Sequence, residues 1–234
     1  IPLNIEGGGF IQQMTFRLGK SDFFVGGNYV FARTKAKPDS GILPPDLIGD
    51  GYQVDNGGAS GILEYDTRDN LFTPNHGINS KAEWTHYDTW LGGDNQFELL
   101  AWNNRGWYPI RDNLVIGGRV DLDFSGGDIP FYMRPFVSMR GIPAMRYQGD
   151  YVVTAEAELR WDVTPRWSAV GFLGAGWTAN NSFSKITDSD TYPAYGCGFR
   201  YLMARVIQLR AGLDFGFSEE GGSVYITTGN AWGR

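Results

Sequence analysis

The sequence is poor in the residue types that most often carry catalysis or metal binding. Among its 234 residues there is one cysteine, Cys197, and there are two histidines, His76 and His86. A single cysteine excludes a disulfide within the chain, and we expect Cys197 to act as a small apolar residue of a strand face. Neither histidine lies in a serine-containing motif or a cluster of metal ligands. The sequence therefore predicts no enzyme, no metal site and no cofactor.

Long apolar runs and an excess of positive charge are also absent. No stretch of about 18 or more consecutive apolar residues occurs, which excludes a transmembrane helix. The net charge of −6 argues against nucleic-acid binding. No signal peptide is visible at Ile1, so we expect that any secretory leader has been removed. The mean hydropathy of −0.29 is compatible with a membrane barrel, whose apolar residues occupy every second position.

Alternation of apolar and polar residues is the dominant pattern of the chain. Between Val152 and Asp162, apolar side chains alternate with mostly charged ones, which is the period of a β-strand. An apolar face toward lipid and a charged face toward water would make this a strand of a transmembrane barrel. A soluble sandwich strand has the same period, so repetition has to decide. The pattern recurs in residues 9–18, 63–68, 116–125, 195–203 and 207–218.

The segment from Trp167 to Trp177 adds an argument from length. The two tryptophans share one strand face with small residues between them. At roughly 3.3 Å per residue they are about 33 Å apart. Tilted by about 40°, this span matches the roughly 25 Å apolar band of an outer-membrane barrel with an aromatic girdle at each edge. The alternative is a sandwich strand with both tryptophans in its core.

The turn signals divide the chain into about twelve strands. The predicted fold is all-β: a membrane-spanning, antiparallel, up-and-down barrel forming a single domain over residues 1–234. Short connections alternate with longer ones, which places both termini on the periplasmic side. The long outer loops are predicted at 35–58, 125–150 and 178–192. The predicted strands are 1–6, 9–18, 22–34, 59–68, 78–89, 96–108, 114–124, 151–162, 167–177, 193–203, 207–217 and 223–232.

Three motifs together point to a family. The first begins Tyr65-Asp66-Thr67-Arg68-Asp69-Asn70 and continues with Phe72, Pro74 and Gly77. The second is Met139-Arg140-Gly141-Ile142-Pro143, within the longest loop, and the third is the last strand, which ends in Gly229-Asn230-Ala231-Trp232. The set resembles the barrel domain of the BamA/TamA-type outer-membrane assembly superfamily, the bacterial surface antigen family. The resemblance covers residues 59–234, and the chain is similar to a short form without periplasmic repeat domains.

The resemblance implies a location, an activity and a site. Barrels of this family insert or translocate proteins at the bacterial outer membrane, so the implied partners are membrane lipids, client outer-membrane proteins and a periplasmic partner. The Arg-Gly loop folds into the lumen, where Arg140 pairs with Glu158, next to Glu156 on the same lumen face. The first and last strands meet at a weak seam. Gly229 and Trp232 belong to the terminal-strand signal, and Trp232 joins Trp167 and Trp177 in the aromatic girdle.

Two residues depart from the family pattern. Gly174 stands where family members often carry an aspartate, and Ile142 stands where an aromatic residue usually follows Arg-Gly. Simpler readings also stay open: Arg140 as an exposed loop charge, Glu156 and Glu158 as general lumen charges, and the charges of the first motif as a turn cap. For function, the alternatives are a small passive pore and a lipid-handling or scaffold barrel that acts with a partner.

Overall fold

All the described strands form one antiparallel sheet. The structure is a computed structural model that describes residues 3–38 and 52–232. Eleven strands lie in chain order, each paired with the next, which confirms the all-β, up-and-down prediction. They are β1 (Leu3–Arg17), β2 (Phe23–Pro38), β3 (Tyr52–Asp66), β4 (Gly77–Tyr87), β5 (Phe97–Arg111), β6 (Leu114–Gly127), β7 (Tyr151–Asp162), β8 (Trp167–Ala179), β9 (Tyr192–Ala204), β10 (Leu209–Ser218) and β11 (Gly221–Thr228). The described part of the chain also has three short 3₁₀ helices, Thr89–Leu91, Phe131–Met133 and Phe183–Asp188.

The alternation of the sequence separates two faces of the sheet. On β7, the outward row includes Leu159 and Trp161, both exposed, whereas Glu156 and Arg160 of the other row are buried. The buried row faces the β6–β7 loop, residues 128–150, so we call this side the inner face. The loop contacts Asn56 of β3 and Tyr225 of β11, which are far apart in sheet order. The sheet therefore curves around the loop and encloses a lumen. No helix among the described residues is long and apolar enough to cross a membrane.

The strand count differs from the predicted twelve. The segments predicted as strands 1–6 and 9–18 belong to one strand, β1, which pairs with β2 from Leu3↔Pro38 to Arg17↔Phe24. Gly7 to Gly9 lie inside this ladder, so they do not form a turn. Glycine weakens a strand without preventing its backbone hydrogen bonds, and the pairing with β2 overrides the local signal.

The odd count also changes where the first described strand starts and the last one ends. Strand connections alternate between a turn end, with 67–76 and 163–166, and a loop end, with 128–150 and 180–191. β1 starts at the loop end, whereas β11 finishes at the turn end. The first described strand thus starts at the opposite side of the sheet from the one where the last described strand ends, unlike in the predicted even-stranded barrel, and the periplasmic placement of both termini stays a prediction.

The loops are also shorter in the structure than predicted. Residues 35–38 and 52–58 of the predicted loop 35–58 belong to β2 and β3, and 39–51 lie outside the described residues. The predicted loop 125–150 is 128–150, and 178–192 is 180–191. Within the described residues, β1 pairs only with β2 and β11 only with β10, so the sheet has two edges and is not closed.

Candidate functional site

The β6–β7 loop is anchored inside the sheet by a small apolar cluster. Val137, Met139 and Ile142 of the loop pack with Val152 of β7 and Ala194 of β9. Two glycines of β8 make room for them. A Cβ at Gly174 would lie 2.5 Å from the Met139 sulfur, and a Cβ at Gly176 would overlap Val137. At Gly174, where members of the resembled family often have an aspartate, the absence of a side chain therefore leaves space for the loop.

Arg140 lies at the centre of a buried charge cluster. Its Nη1 donates to Glu158 Oε2 at 2.7 Å and to Asp214 Oδ2 at 2.8 Å. Its Nε donates to Glu156 Oε1 at 3.1 Å, and its Nη2 contacts the same oxygen. The guanidinium also lies 3.6 Å from the centre of the Phe172 ring, within the range of a cation–π contact. Arg140 is thus held by three carboxylates and one aromatic ring, and it is not an exposed loop charge.

Asp214 is the acid that the sequence interpretation missed. It is fully buried on β10 and accepts from Arg140, from both terminal nitrogens of Arg200, and from the Thr227 hydroxyl at 3.0 Å. The alternation of residues 207–218 placed Asp214 on the polar row, which was the available signal. Its pairing could not be predicted because it joins residues 74 positions apart.

Gly141 brings the loop backbone against the last two strands. Its φ of +95° favours glycine, and its N–H donates to the Tyr225 hydroxyl at 2.9 Å. Its carbonyl accepts from the Ser218 hydroxyl at 2.6 Å. A Cβ at Gly141 would lie 2.9 Å from the Phe217 nitrogen, and one at Gly216 would lie 2.7 Å from the Gly141 nitrogen. This close backbone contact docks the Arg-Gly dipeptide on β10 and β11.

Arg119 of β6 extends the cluster toward the wall. It donates to Asp121 at 2.7 Å, to Glu156 at 3.3 Å and to the Ser138 carbonyl at 2.6 Å. The Glu156 side chain is fully buried between Arg119 and Arg140. Removing one member of such a buried network typically costs about 3–5 kcal/mol, because its partners stay buried without a counter-charge. The network therefore favours one position of the loop.

The Glu220 carboxylate ties the end of the loop to the β10–β11 turn. Glu220 accepts a hydrogen bond from the Tyr147 hydroxyl at 2.5 Å and forms an ion pair with Arg146 at 2.9 Å. These two contacts lower the pKa of Glu220 below its ordinary value of 4.5. Tyr147 also stacks on Tyr192, with ring centroids 3.7 Å apart. The loop thus has a second, solvent-accessible attachment beside the last hairpin.

The first motif builds the β3–β4 turn, residues 67–76. Asp66 accepts two side-chain hydrogen bonds from Arg68, at 2.8 and 2.6 Å, and Asp69 accepts from the backbone of residues 75 and 76. Gly77 adopts a φ of +109°, and a Cβ there would overlap the carbonyl oxygen of residue 67. Tyr65 pairs with the ring of Phe23 at 4.9 Å. These residues shape the turn locally, and none of them contacts Arg140 directly.

The turn is nevertheless not confined to the rim of the sheet. Thr73 and Pro74 are buried, and Arg160 of β7 donates to the Pro74 carbonyl at 3.1 Å and contacts the Asn75 amide oxygen. Asn70 donates to the Ile207 carbonyl of the β9–β10 turn at 3.1 Å. The turn therefore reaches across the turn end of the lumen, a role that the sequence interpretation did not assign to Arg160.

Trp232 lies on the inner face, which corrects the girdle prediction. It is 4% exposed, its ring centroid is 5.9 Å from that of Trp107, and its Nε1 donates to Glu156 Oε1 at 3.0 Å. The predicted last strand 223–232 ends at Thr228, and Gly229, with φ of +77°, turns the chain inward. The hydrogen bond from the indole N–H to a buried carboxylate outweighs the general preference of tryptophan for a membrane interface.

The other two tryptophans of the predicted girdle, Trp167 and Trp177, lie on the outward face of the sheet. Trp167, half-exposed at the turn end of β8, contacts the ring of Tyr201 at 4.9 Å and that of Phe199 at 5.9 Å. Trp177 lies near the loop end of the same strand, and its Nε1 donates to Thr191 at 3.0 Å.

Among the described residues, no group of three or more His, Cys, Asp and Glu side chains could hold a metal ion.

Comparison with known proteins identifies the fold. No protein-family profile and no curated protein sequence matches the chain. Among solved structures, BamA from Haemophilus ducreyi lacking POTRA domains 1–3 superimposes on 97% of this chain with a TM-score of 0.69 and 14% identity. CdiB from Escherichia coli superimposes on 97% with a TM-score of 0.62 and 14% identity. The chain spans about half of each, 54% of BamA and 45% of CdiB. It therefore shares the fold of these two structures, and the resemblance drawn from the sequence motifs holds at the level of the fold.

Proposed function

We propose that residues 1–234 belong to a single transmembrane β-barrel domain that acts in protein insertion or translocation at a bacterial outer membrane. The fold shared with BamA and CdiB supports this assignment. The alternation of apolar outward residues with a charged inner face fits lipid on one side and water on the other. Membrane lipids, client outer-membrane proteins and a periplasmic partner are the partners that this function requires.

The observation that carries the proposal is the docked loop. Arg140 is bound by Glu156, Glu158 and Asp214, and Gly141 lies on β10 and β11. A loop held in this way occupies the lumen beside the last strand, where it would restrict the free flow of solutes. In the proposed function, it supports the sheet at the place where clients would be handled. This occupancy favours an insertion or translocation barrel over a passive pore.

The proposed seam lies between β1 and β11. β11 has 8 residues, fewer than the roughly 9–11 that a transmembrane strand needs. β1 contains three consecutive glycines, Gly7 to Gly9, which lower the stability of strand pairing. Two weak edges in one barrel are a plausible entry for a client strand, since unpaired strand edges accept further strands.

The test is assisted insertion of a second outer-membrane barrel protein into liposomes. The expected result is faster folding of that protein when the purified chain is present in the bilayer than in empty liposomes. A matched comparison uses the chain with Arg140→Ala, which undocks the loop but leaves the outward face unchanged, and it should be slower than the parent. No rate increase over empty liposomes would contradict an insertion function. Steady solute leakage without insertion would point to a pore.

A further inference from the structure

The last described residues leave the sheet and fold into the lumen. We call residues 229–232 the C-terminal segment. It starts where β11 ends, at the left-handed Gly229, and places the Trp232 ring against Trp107 and above Gly117. A Cβ at Gly117 would lie 3.0 Å from the Trp232 ring, so the wall is hollowed at the point where the indole sits. The segment therefore has a fitted position on the inner face.

The β3–β4 turn is the first attachment of the segment. Asn230 Nδ2 donates to the carbonyls of Leu71 and Phe72, both at 3.4 Å, and a Cβ at Gly229 would lie 2.9 Å from the Phe72 carbonyl oxygen. The turn is itself held from the opposite wall by Arg160, through the Pro74 carbonyl. The segment is thus clamped against an immobilised turn.

Glu156 is the second attachment, and it is shared with the loop. Its Oε1 accepts from Trp232 Nε1 at 3.0 Å and from Arg140 Nε at 3.1 Å. Both donors bind the same carboxylate oxygen, Oε1, while Arg119 binds the other oxygen, Oε2, at 3.3 Å, so that Arg140 and Trp232 together orient the carboxylate. When two groups are positioned through one buried partner, a change at either alters the free energy of the other by the same amount.

The position of the segment also sets the length of the last strand. With the segment inside, β11 has 8 residues and is shorter than a transmembrane strand needs to be. If the segment left the lumen, residues 229 and 230 could continue β11 in register opposite residues 210 and 209 of β10, which would lengthen the strand from 8 to 10 residues, enough to span. The last strand therefore has a short form and a full-length form, and the bond to Glu156 selects the short one.

We propose that Glu156 couples the docking of the Arg140 loop to the C-terminal segment, which acts as a latch that keeps the last strand short while the loop is docked. Undocking the loop releases Trp232, and releasing Trp232 loosens the loop. The proposal extends to the regulation of the seam, but it needs only the lumen geometry and no insertion activity. Its test therefore reads structure alone, and it can fail or succeed independently of the insertion assay.

The first arm of the test measures the latch. In a Cys197→Ser background, cysteines replace Leu71 and Asn230, and a short thiol-to-thiol reagent cross-links them in the folded protein in bilayers. We expect rapid cross-linking in this parent and a rate at least about fivefold lower after Arg140→Ala. Asp128→Ala is the control, because Asp128 is an exposed residue of the same loop that takes no part in the contacts with Glu156 or Glu220, and it should leave the rate unchanged.

The second arm measures the reverse direction. A cysteine at the fully buried Val137 reports the docked loop through its labelling by a water-soluble maleimide. We expect Trp232→Phe, which removes only the indole N–H donor, to speed labelling at least about fivefold. Trp102→Phe is the matched control: it removes an indole N–H that donates to Ser80 on the outward face.

Folding of each variant is checked by its heat-dependent shift in electrophoretic migration. Should Arg140→Ala not fold, Glu158→Gln replaces it, since Glu158 binds Arg140 but makes no hydrogen bond to Trp232. It should slow the cross-link in the same direction. Failure of the parent pair to cross-link would overturn the proposal. So would an unchanged cross-linking rate in a variant whose Val137→Cys site labels faster.

Discussion

Arg140 and Asp214 are 74 residues apart in the chain, and their side chains meet at 2.8 Å in the interior of the sheet. Asp214 binds Arg200 and Thr227 as well, so the loop is tied to β10, the neighbour of the last strand. The sequence placed Arg140 beside Glu158 on β7, and that pair is present at 2.7 Å. The loop thus joins β7 to β10, which are not neighbours in the sheet, and stiffens the part of the wall near its open edge.

Removing the Asp214 carboxylate should strongly destabilise the protein. Asp214→Ala leaves Arg140 and Arg200 buried with one fewer acceptor each, and we expect the free energy of unfolding to fall by roughly 3–5 kcal/mol. Urea unfolding in lipid bilayers, followed by tryptophan fluorescence, measures the change. Asp190→Ala removes an exposed aspartate of the β8–β9 loop and should have an effect near zero. Equal effects of the two substitutions would contradict the assigned role of Asp214.

A methyl group at Gly141 should undock the Arg-Gly dipeptide. Gly141→Ala strains a φ of +95° and places a Cβ 2.9–3.0 Å from the Phe217 backbone, which cannot move without breaking β10. We expect faster proteolytic cleavage within residues 128–150. Gly126→Ala is the control, because a Cβ there meets open space. Identical cleavage of the two variants would show that close backbone contact does not hold the loop.

Acid should weaken the attachment of the loop at Glu220. Contacts with Tyr147 and Arg146 lower the pKa of Glu220, so the stabilisation they provide is complete above pH 4.5 and is lost as the pH falls through the lowered pKa. Because the site is at the surface, the effect should be modest, about a twofold rise in loop cleavage by an acid-stable protease. Glu220→Gln should show the faster cleavage at every pH. A parent whose cleavage shows the same pH profile as this variant would disprove the attachment.

Arg160 should hold the β3–β4 turn across the lumen. Arg160→Met keeps much of the side-chain volume but removes the hydrogen bonds to the Pro74 carbonyl and to the Asn75 amide oxygen. With a cysteine at the buried Thr73, in the Cys197→Ser background, we expect labelling at least about tenfold faster, because the loss of a single charged hydrogen bond already corresponds to a change of about that size. Arg166→Met, at an exposed arginine bonded to Tyr201, is the matched control. Fast labelling of the Thr73→Cys parent itself would mean that the turn does not enter the lumen.

The part of the fold that the sequence predicted follows from short-range periodicity. Alternation along each strand assigns residues to faces whatever their partners, which is why Glu156 and Glu158 were placed on the inner row with their neighbours. Alternation cannot predict a contact between side chains of distant strands, because such a contact depends on how strongly the sheet curves. Arg140–Asp214 and Arg160–Pro74 both require that curvature, so neither was predicted.

Two predictions failed because a local rule met a stronger tertiary contact. The glycines at 7–9 suggested a break, but the ladder with β2 runs through them and merges two predicted strands into β1. Trp232 suggested a girdle residue, but its N–H finds a buried carboxylate in Glu156. In each case the residues that determine the structure, β2 for the glycines and Glu156 for Trp232, lie outside the short segment on which the prediction was based.

Single-channel recording of the purified protein in a planar bilayer tests the central claim, that the lumen is occupied by the loop bound through Arg140. The account predicts small or rare openings for the parent and a larger, steadier current for Arg140→Ala, while a substitution of an exposed residue of the same loop, Asp128→Ala, behaves like the parent. A large, steady current through the parent that Arg140→Ala leaves unchanged would contradict it.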